Sequence, residues 1–165
     1  MNTLAAKLDT SDYGYEDYLN YNIDGYWLDK ILEETYPGNF FVGTIPTLSG
    51  MVVKEEEKMV WQRILPGKGK TTICPILMCP DDLDFSCTLI VAQIENTEDS
   101  IKWSKIGLDK TTNFSPQNVG TVVEWLEAVG PFEFSKTDYF TMLNSFKPHL
   151  NIEVENEGKI NQLKD

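Results

Sequence analysis

The sequence predicts an α+β fold, an antiparallel β-meander sheet packed with about three to four α-helices in a single domain. Three observations predict it. Two apolar runs, Ile73–Cys79 and Cys87–Ile94, each have the length of a buried strand. The polar connector Pro80–Ser86 between them carries a proline and three aspartates, the residues of a surface turn. Beyond the turn Asn96–Asp99, the stretch Ile101-Lys102-Trp103-Ser104-Lys105-Ile106 alternates apolar with polar, the period of a strand half in water. Connections this short favour antiparallel neighbours.

The other elements follow in order. Residues 1–14 carry little pattern and are expected to be a flexible N-terminus. The domain is expected over 15–148. Tyr15, Tyr18 and Leu19 fit a helical face, while Tyr18, Asn20 and Asn22 fit a polar strand face, so both remain open. Asp24-Gly25 marks a turn. Trp27, Leu28, Ile31 and Leu32 recur at helical spacing until Tyr36-Pro37-Gly38-Asn39 stops them. Phe40-Phe41-Val42 reads as a short strand. Lys54–Lys58 suits an exposed helix or charged loop, and Met59–Leu65 suits a strand. Pro66–Lys70 is a turn into the meander. Ser115-Pro116 reads as a helix start, with Val119, Val122, Val123, Leu126 and Val129 as its stripe and Gly130-Pro131 as its end. Phe132–Phe134 is extended. Ser135 caps a last helix that turns Tyr139, Phe140, Leu143 and Phe146 inward and ends at Pro148. Residues 149–165 read as a C-terminal tail or an edge strand around Ile152–Val154.

Charge narrows the function. The net charge is −12 over 165 residues. Residues 1–60 hold 11 acidic and 4 basic side chains, a net of −7. Direct nucleic-acid binding is disfavoured, since phosphate contact needs a positive surface. A basic protein partner is favoured, because opposite fields speed encounter. The first nine residues lack the apolar run of a signal peptide, and no segment reads as a membrane span. Three cysteines, an odd number inside predicted strands, suit a reduced, cytoplasmic setting.

Motifs for chemistry are weak. Gly67-Lys68-Gly69-Lys70-Thr71 suggests a phosphate loop, but the glycine required five residues before Gly69 is Ile64. Cys74, Cys79 and Cys87 contain no Cys-x-x-Cys pair, and Cys74 and Cys79 would point to opposite faces of a strand, so no metal is expected. Asp81, Asp82 and Asp84 lack the glycine and the glutamate of a calcium loop. The single histidine, His149, has no nucleophile elbow to serve. Glu124 and Glu127 suit an exposed helix face. The expectation is a protein without catalytic residues or cofactor.

One resemblance is carried by an ordered set of segments: Ile23-Asp24-Gly25 with Leu28, a Cys-bearing strand, an acidic tip, a second strand begun by Cys87, Trp103 within Ile101–Asp109, and Phe132-Glu133-Phe134 with Tyr139 and Leu143. In this order, over roughly residues 15–146, the chain resembles small bacterial immunity proteins of polymorphic-toxin and contact-dependent growth inhibition systems. The resemblance implies a cytosolic, non-enzymatic protein that binds and neutralises one cognate toxin domain. Such toxins are often nucleases with cationic surfaces. Binding surfaces in these families are specific to each pair, so no residue is carried over. From the residues themselves, the acidic positions Glu55, Glu56, Glu57, Asp81, Asp82 and Asp84 are the expected partner-binding set. The competing expectation is a small enzyme or ligand-binding domain with an aromatic pocket in the N-terminal third. Homodimer formation stays open.

Overall fold

A computed structural model describes residues 1–10, 16–112 and 115–147. It contains two antiparallel sheets and, among the described residues, three α-helices. The elements are β1 (Leu4–Asp9), β2 (Tyr18–Ile23), β3 (Tyr26–Trp27), α1 (Leu28–Thr35), β4 (Ile45–Pro46), α2 (Lys54–Arg63), β5 (Thr71–Met78), β6 (Leu89–Asn96), β7 (Ser100–Asp109), β8 (Val123–Trp125), β9 (Phe132–Ser135) and α3 (Lys136–Phe146). The smaller sheet runs β1-β2-β3. The larger runs β4-β5-β6-β7-β8, and β9 also pairs with β7. The α+β class and the β5–β6–β7 meander are as the periodicity predicts.

β7 is the hub. Its first half, Ser100–Trp103, pairs with β9, and its second half, Gly107–Asp109, pairs with β8. The fully buried Trp103 meets Tyr21, Phe134 and Tyr139 edge-on, at ring separations of 5.4, 5.2 and 6.3 Å. Such pairs add to simple burial. The Trp103 indole N–H donates to the Tyr139 hydroxyl (3.3 Å), which donates to the Ile64 carbonyl (2.6 Å). This chain ties the meander to α3 and to the end of α2. Burial raises the Tyr139 and Tyr21 phenols well above their ordinary range, so both stay neutral in the core. The Ser135 hydroxyl caps α3 by accepting from the Asp138 N–H (3.1 Å), as the sequence predicts.

Four expectations are corrected. Residues 4–9 are a strand, not part of a patternless terminus: β1 pairs in continuous register with β2, and its Leu4 is buried. This also resolves Tyr18–Ile23 as a strand. Phe40–Val42 is a turn, with Phe40 at φ +60°. Met59–Arg63 continues α2 as helix, because Val60, Trp61 and Ile64 bury together on one helical side.

The fourth correction is the largest. The helix expected from Ser115 to Val129 is a 3-10 turn, Pro116–Asn118, followed by β8. Gly120 sits at φ +83°, where a Cβ would come within 2.7 Å of the Ile73 side chain. β8 passes so close to β7 that a Cβ on Gly107 would lie 2.5 Å from Val123. Pairing across the sheet therefore overrides the local 3.6 period. His149, Pro148, Tyr15 and the expected tail or edge strand of 149–165 lie outside the described residues. No described helix is long and apolar enough to cross a membrane.

Candidate protein-interaction surface

Two acidic segments far apart in sequence meet at one end of the larger sheet. One is the first turn of α2, with Glu55, Glu56 and Glu57. The other is the β5–β6 connector, with Asp81, Asp82 and Asp84. The Phe85 N–H donates to Glu56 Oε1 (3.0 Å), and the Val52 N–H donates to the Leu83 carbonyl (3.1 Å). These two bonds fix the connector against the start of α2. The carboxylates also suit that turn, where the helix dipole favours negative charge.

The connector is shaped by local chemistry. The Leu83 N–H returns to the Cys79 carbonyl (3.1 Å) with Leu83 at φ +54°. The Asp84 carboxylate accepts from the Ser86 N–H (2.9 Å), the aspartate turn that a polar connector favours. Beside it runs the loop before β4. Ile45 pairs with Met78, so the preceding residues 40–44 lie along the start of the connector. Between loop and connector opens a cleft of about 570 Å³, lined by Phe40, Val42, Cys79, Asp81, Cys87 and Thr88 among others.

The six expected partner-binding residues divide. Glu55, Asp81 and Asp82 are exposed, and Glu56 and Asp84 are half-buried beside them. Burial raises the Glu56 carboxyl above its ordinary value of 4.5, and the Asp84 charge adds to this, against the opposing Phe85 N–H. Glu57 stands apart. Its carboxylate lies 3.2 Å from the Lys54 ammonium and 3.9 Å from that of Lys147. Five of the six thus belong to one acidic face and one is paired locally.

Sequence reasoning missed the apolar part of this face. Phe40 is 81% exposed and Val52 67% exposed. The Phe40-Phe41-Val42 run suggests a strand, and only its place after Pro37-Gly38-Asn39 points to a turn. It also missed a cluster in the connector: the ligand atoms of Cys79, Asp82 and Cys87 all lie within 4.8 Å of one another. Burial raises the Cys87 thiol above its ordinary range, and its hydrogen bond with Cys79 adds to that. Cys74 is elsewhere, fully buried with its Sγ 3.5 Å from the Val60 carbonyl. Of the aromatics in the N-terminal third, Tyr21 fills the core, Tyr26 is exposed and Phe40 lines the cleft.

Comparison with protein-family models, with curated proteins and with solved structures finds no match to this chain.

Proposed function

We propose that this chain is a cytoplasmic inhibitor of the immunity-protein type, which binds a basic toxin domain through the acidic face of α2 and the β5–β6 connector and performs no reaction of its own. The observation that carries the reading is the 3.0 Å bond from the Phe85 N–H to Glu56, which joins two acidic segments into one surface. Charge on such a face steers a cationic partner into encounter. Exposed Phe40 and Val52 beside it supply the apolar anchors that a desolvated contact needs, and aromatic anchors are prominent among binding hot spots. The net charge of −12 extends the same field over the molecule.

A gene for a basic toxin domain is expected next to the gene for this chain, and the test uses that domain. Co-expression with this chain is expected to restore growth, and the purified pair is expected to elute as one complex. The triple variant Glu55→Lys, Asp81→Lys, Asp84→Lys is expected to slow association about tenfold to a hundredfold at low salt, with the difference shrinking at high salt. An unchanged, salt-independent association rate in that variant would remove this face from the interface. Failure of the wild-type chain to bind or protect would remove the inhibitor reading itself.

A further inference from the structure

We propose that Cys79, Asp82 and Cys87 form a site for a single thiophilic divalent cation, with Zn²⁺ the best match. The proposal goes beyond the inhibitor reading and does not rest on it.

The distances carry it. Two Cys sulfurs and a carboxylate oxygen lie within 4.8 Å of one another. Around tetrahedral Zn²⁺, with bonds of about 2.3 Å to sulfur and about 2.0 Å to oxygen, ligand atoms sit roughly 3.3–3.8 Å apart. Small side-chain rotations close the difference. The ligands come from both ends of one short connector whose flanks are already paired, Met78 with Leu89. Its backbone is held by the Leu83 to Cys79 bond and by the Glu56 contact at Phe85, so little ordering is left to the metal.

The donor set selects the ion. Thiolates discriminate against Ca²⁺ and Mg²⁺, which prefer all-oxygen shells. Two thiolates and one carboxylate carry three negative charges, and the acidic neighbours Asp81, Asp84 and Glu56 favour a cation further. Binding displaces the two thiol protons to solvent. Cys79 and Cys87 also line the cleft beside Phe40, which gives an ion a route to the site.

The experiment titrates the reduced full-length chain with Co²⁺, read by absorbance, and then competes with Zn²⁺. One Co²⁺ per chain is expected, with a sulfur-to-cobalt charge-transfer band and tetrahedral visible bands that Zn²⁺ abolishes. Cys79→Ser and Cys87→Ser are each expected to weaken Co²⁺ binding at least about a hundredfold, and Asp82→Asn about tenfold. These residues lie on a surface connector, so circular dichroism of the metal-free variants should match wild type. As a second readout, Zn²⁺ should protect Cys79 and Cys87 from alkylation. A missing charge-transfer band, a band that survives in the Cys79→Ser, Cys87→Ser double variant, or a Cys79–Cys87 disulfide that forms in air despite saturating Zn²⁺ would each overturn the site.

Discussion

Two helices carry conspicuous acids, and they use them in opposite ways. On α1, Asp29 and Glu33 share a face and turn it towards backbone. Asp29 accepts from the Gly43 N–H (2.8 Å) and the Asn20 amide (3.1 Å). Glu33 accepts from the N–H groups of Gly38 (2.8 Å), Phe41 (3.0 Å) and Val42 (3.4 Å). Together they staple the loop that forms one wall of the cleft. On α2 and the connector, Glu56 and Asp84 each accept from one backbone N–H, and Glu55 is exposed. A carboxylate offers a partner only the lone pairs that its own chain has not used. The α1 acids are therefore scaffold for the cleft, and the exposed Glu55, Asp81 and Asp82 form its outward face.

The largest expected effect breaks the scaffold side of this contrast. Asp29 is 1% exposed, so Asp29→Ala strands the Gly43 N–H in the interior and leaves the Asn20 amide with only its bond to Asp9. The expected loss is about 2–4 kcal/mol, read from urea unfolding. Asp29 also has a pH signature. Burial raises its carboxyl above the ordinary value of 3.8, with the Gly43 and Asn20 donors opposing. The folded state therefore holds that proton more tightly than the unfolded chain. Its contribution is full below 3.8 and declines as pH rises through the raised folded value. The stability gap between wild type and Asp29→Asn should narrow from pH 4 to pH 7, since the amide cannot titrate. A gap that widens over this range would reverse the assignment.

Phe40 comes next, and it sharpens the contrast by separating fold from contact. Its φ of +60° is the left-handed region that a bulky side chain resists, yet its ring is in solvent. Phe40→Gly is expected to raise stability by about 1 kcal/mol in urea unfolding while weakening toxin binding. Loss of stability would show that the ring packs as scaffold.

Glu33→Gln is expected to act locally. The amide side chain accepts through one oxygen, so the three loop N–H groups can no longer all be held. Their hydrogen bonds keep the Glu33 carboxyl below its ordinary 4.5, the Gly38 bond most of all. The loop contacts are thus complete above 4.5 and fail as pH falls through the depressed value. The Gly38 and Phe41 amide shifts in NMR should follow that titration in wild type and be flat in Glu33→Gln. Flat shifts in wild type would detach Glu33 from the loop.

The same contrast explains what the sequence reveals. The meander was legible because two apolar runs of strand length flank a polar connector and Ile101–Ser104 alternates before the irregularity at Ser104. The cap of α3 was legible because Ser135 acts within its own helix. Residues 115–129 were not, because their valines satisfy a helical period by coincidence, while Gly120 and Gly107 answer to contacts with Ile73 and Val123 across the sheet. Leu4–Asp9 has weak strand character and owes its form to β2. The acidic residues of the face could be named from composition, but their union could not. It depends on Glu56 meeting Phe85, 29 positions away. The Cys79, Asp82 and Cys87 cluster escaped for the same reason, since cysteine spacing alone directs attention to Cys74.

The smallest expected effect completes the contrast. Glu55 and Asp81 are exposed and belong to the outward set. If their charges serve encounter and not folding, Glu55→Lys with Asp81→Lys should change unfolding free energy by no more than about 0.5 kcal/mol. The sign should favour the variant. Each reversal adds two units of charge, so the net moves from −12 to about −8 and self-repulsion falls. Salt screens that repulsion, so the gain should fade between low ionic strength and about 1 M salt. Urea midpoints for both proteins at the two ionic strengths decide it. A loss of stability comparable to that of Asp29→Ala would mean that these acids, too, are held by the fold, and the division between scaffold and face would fall.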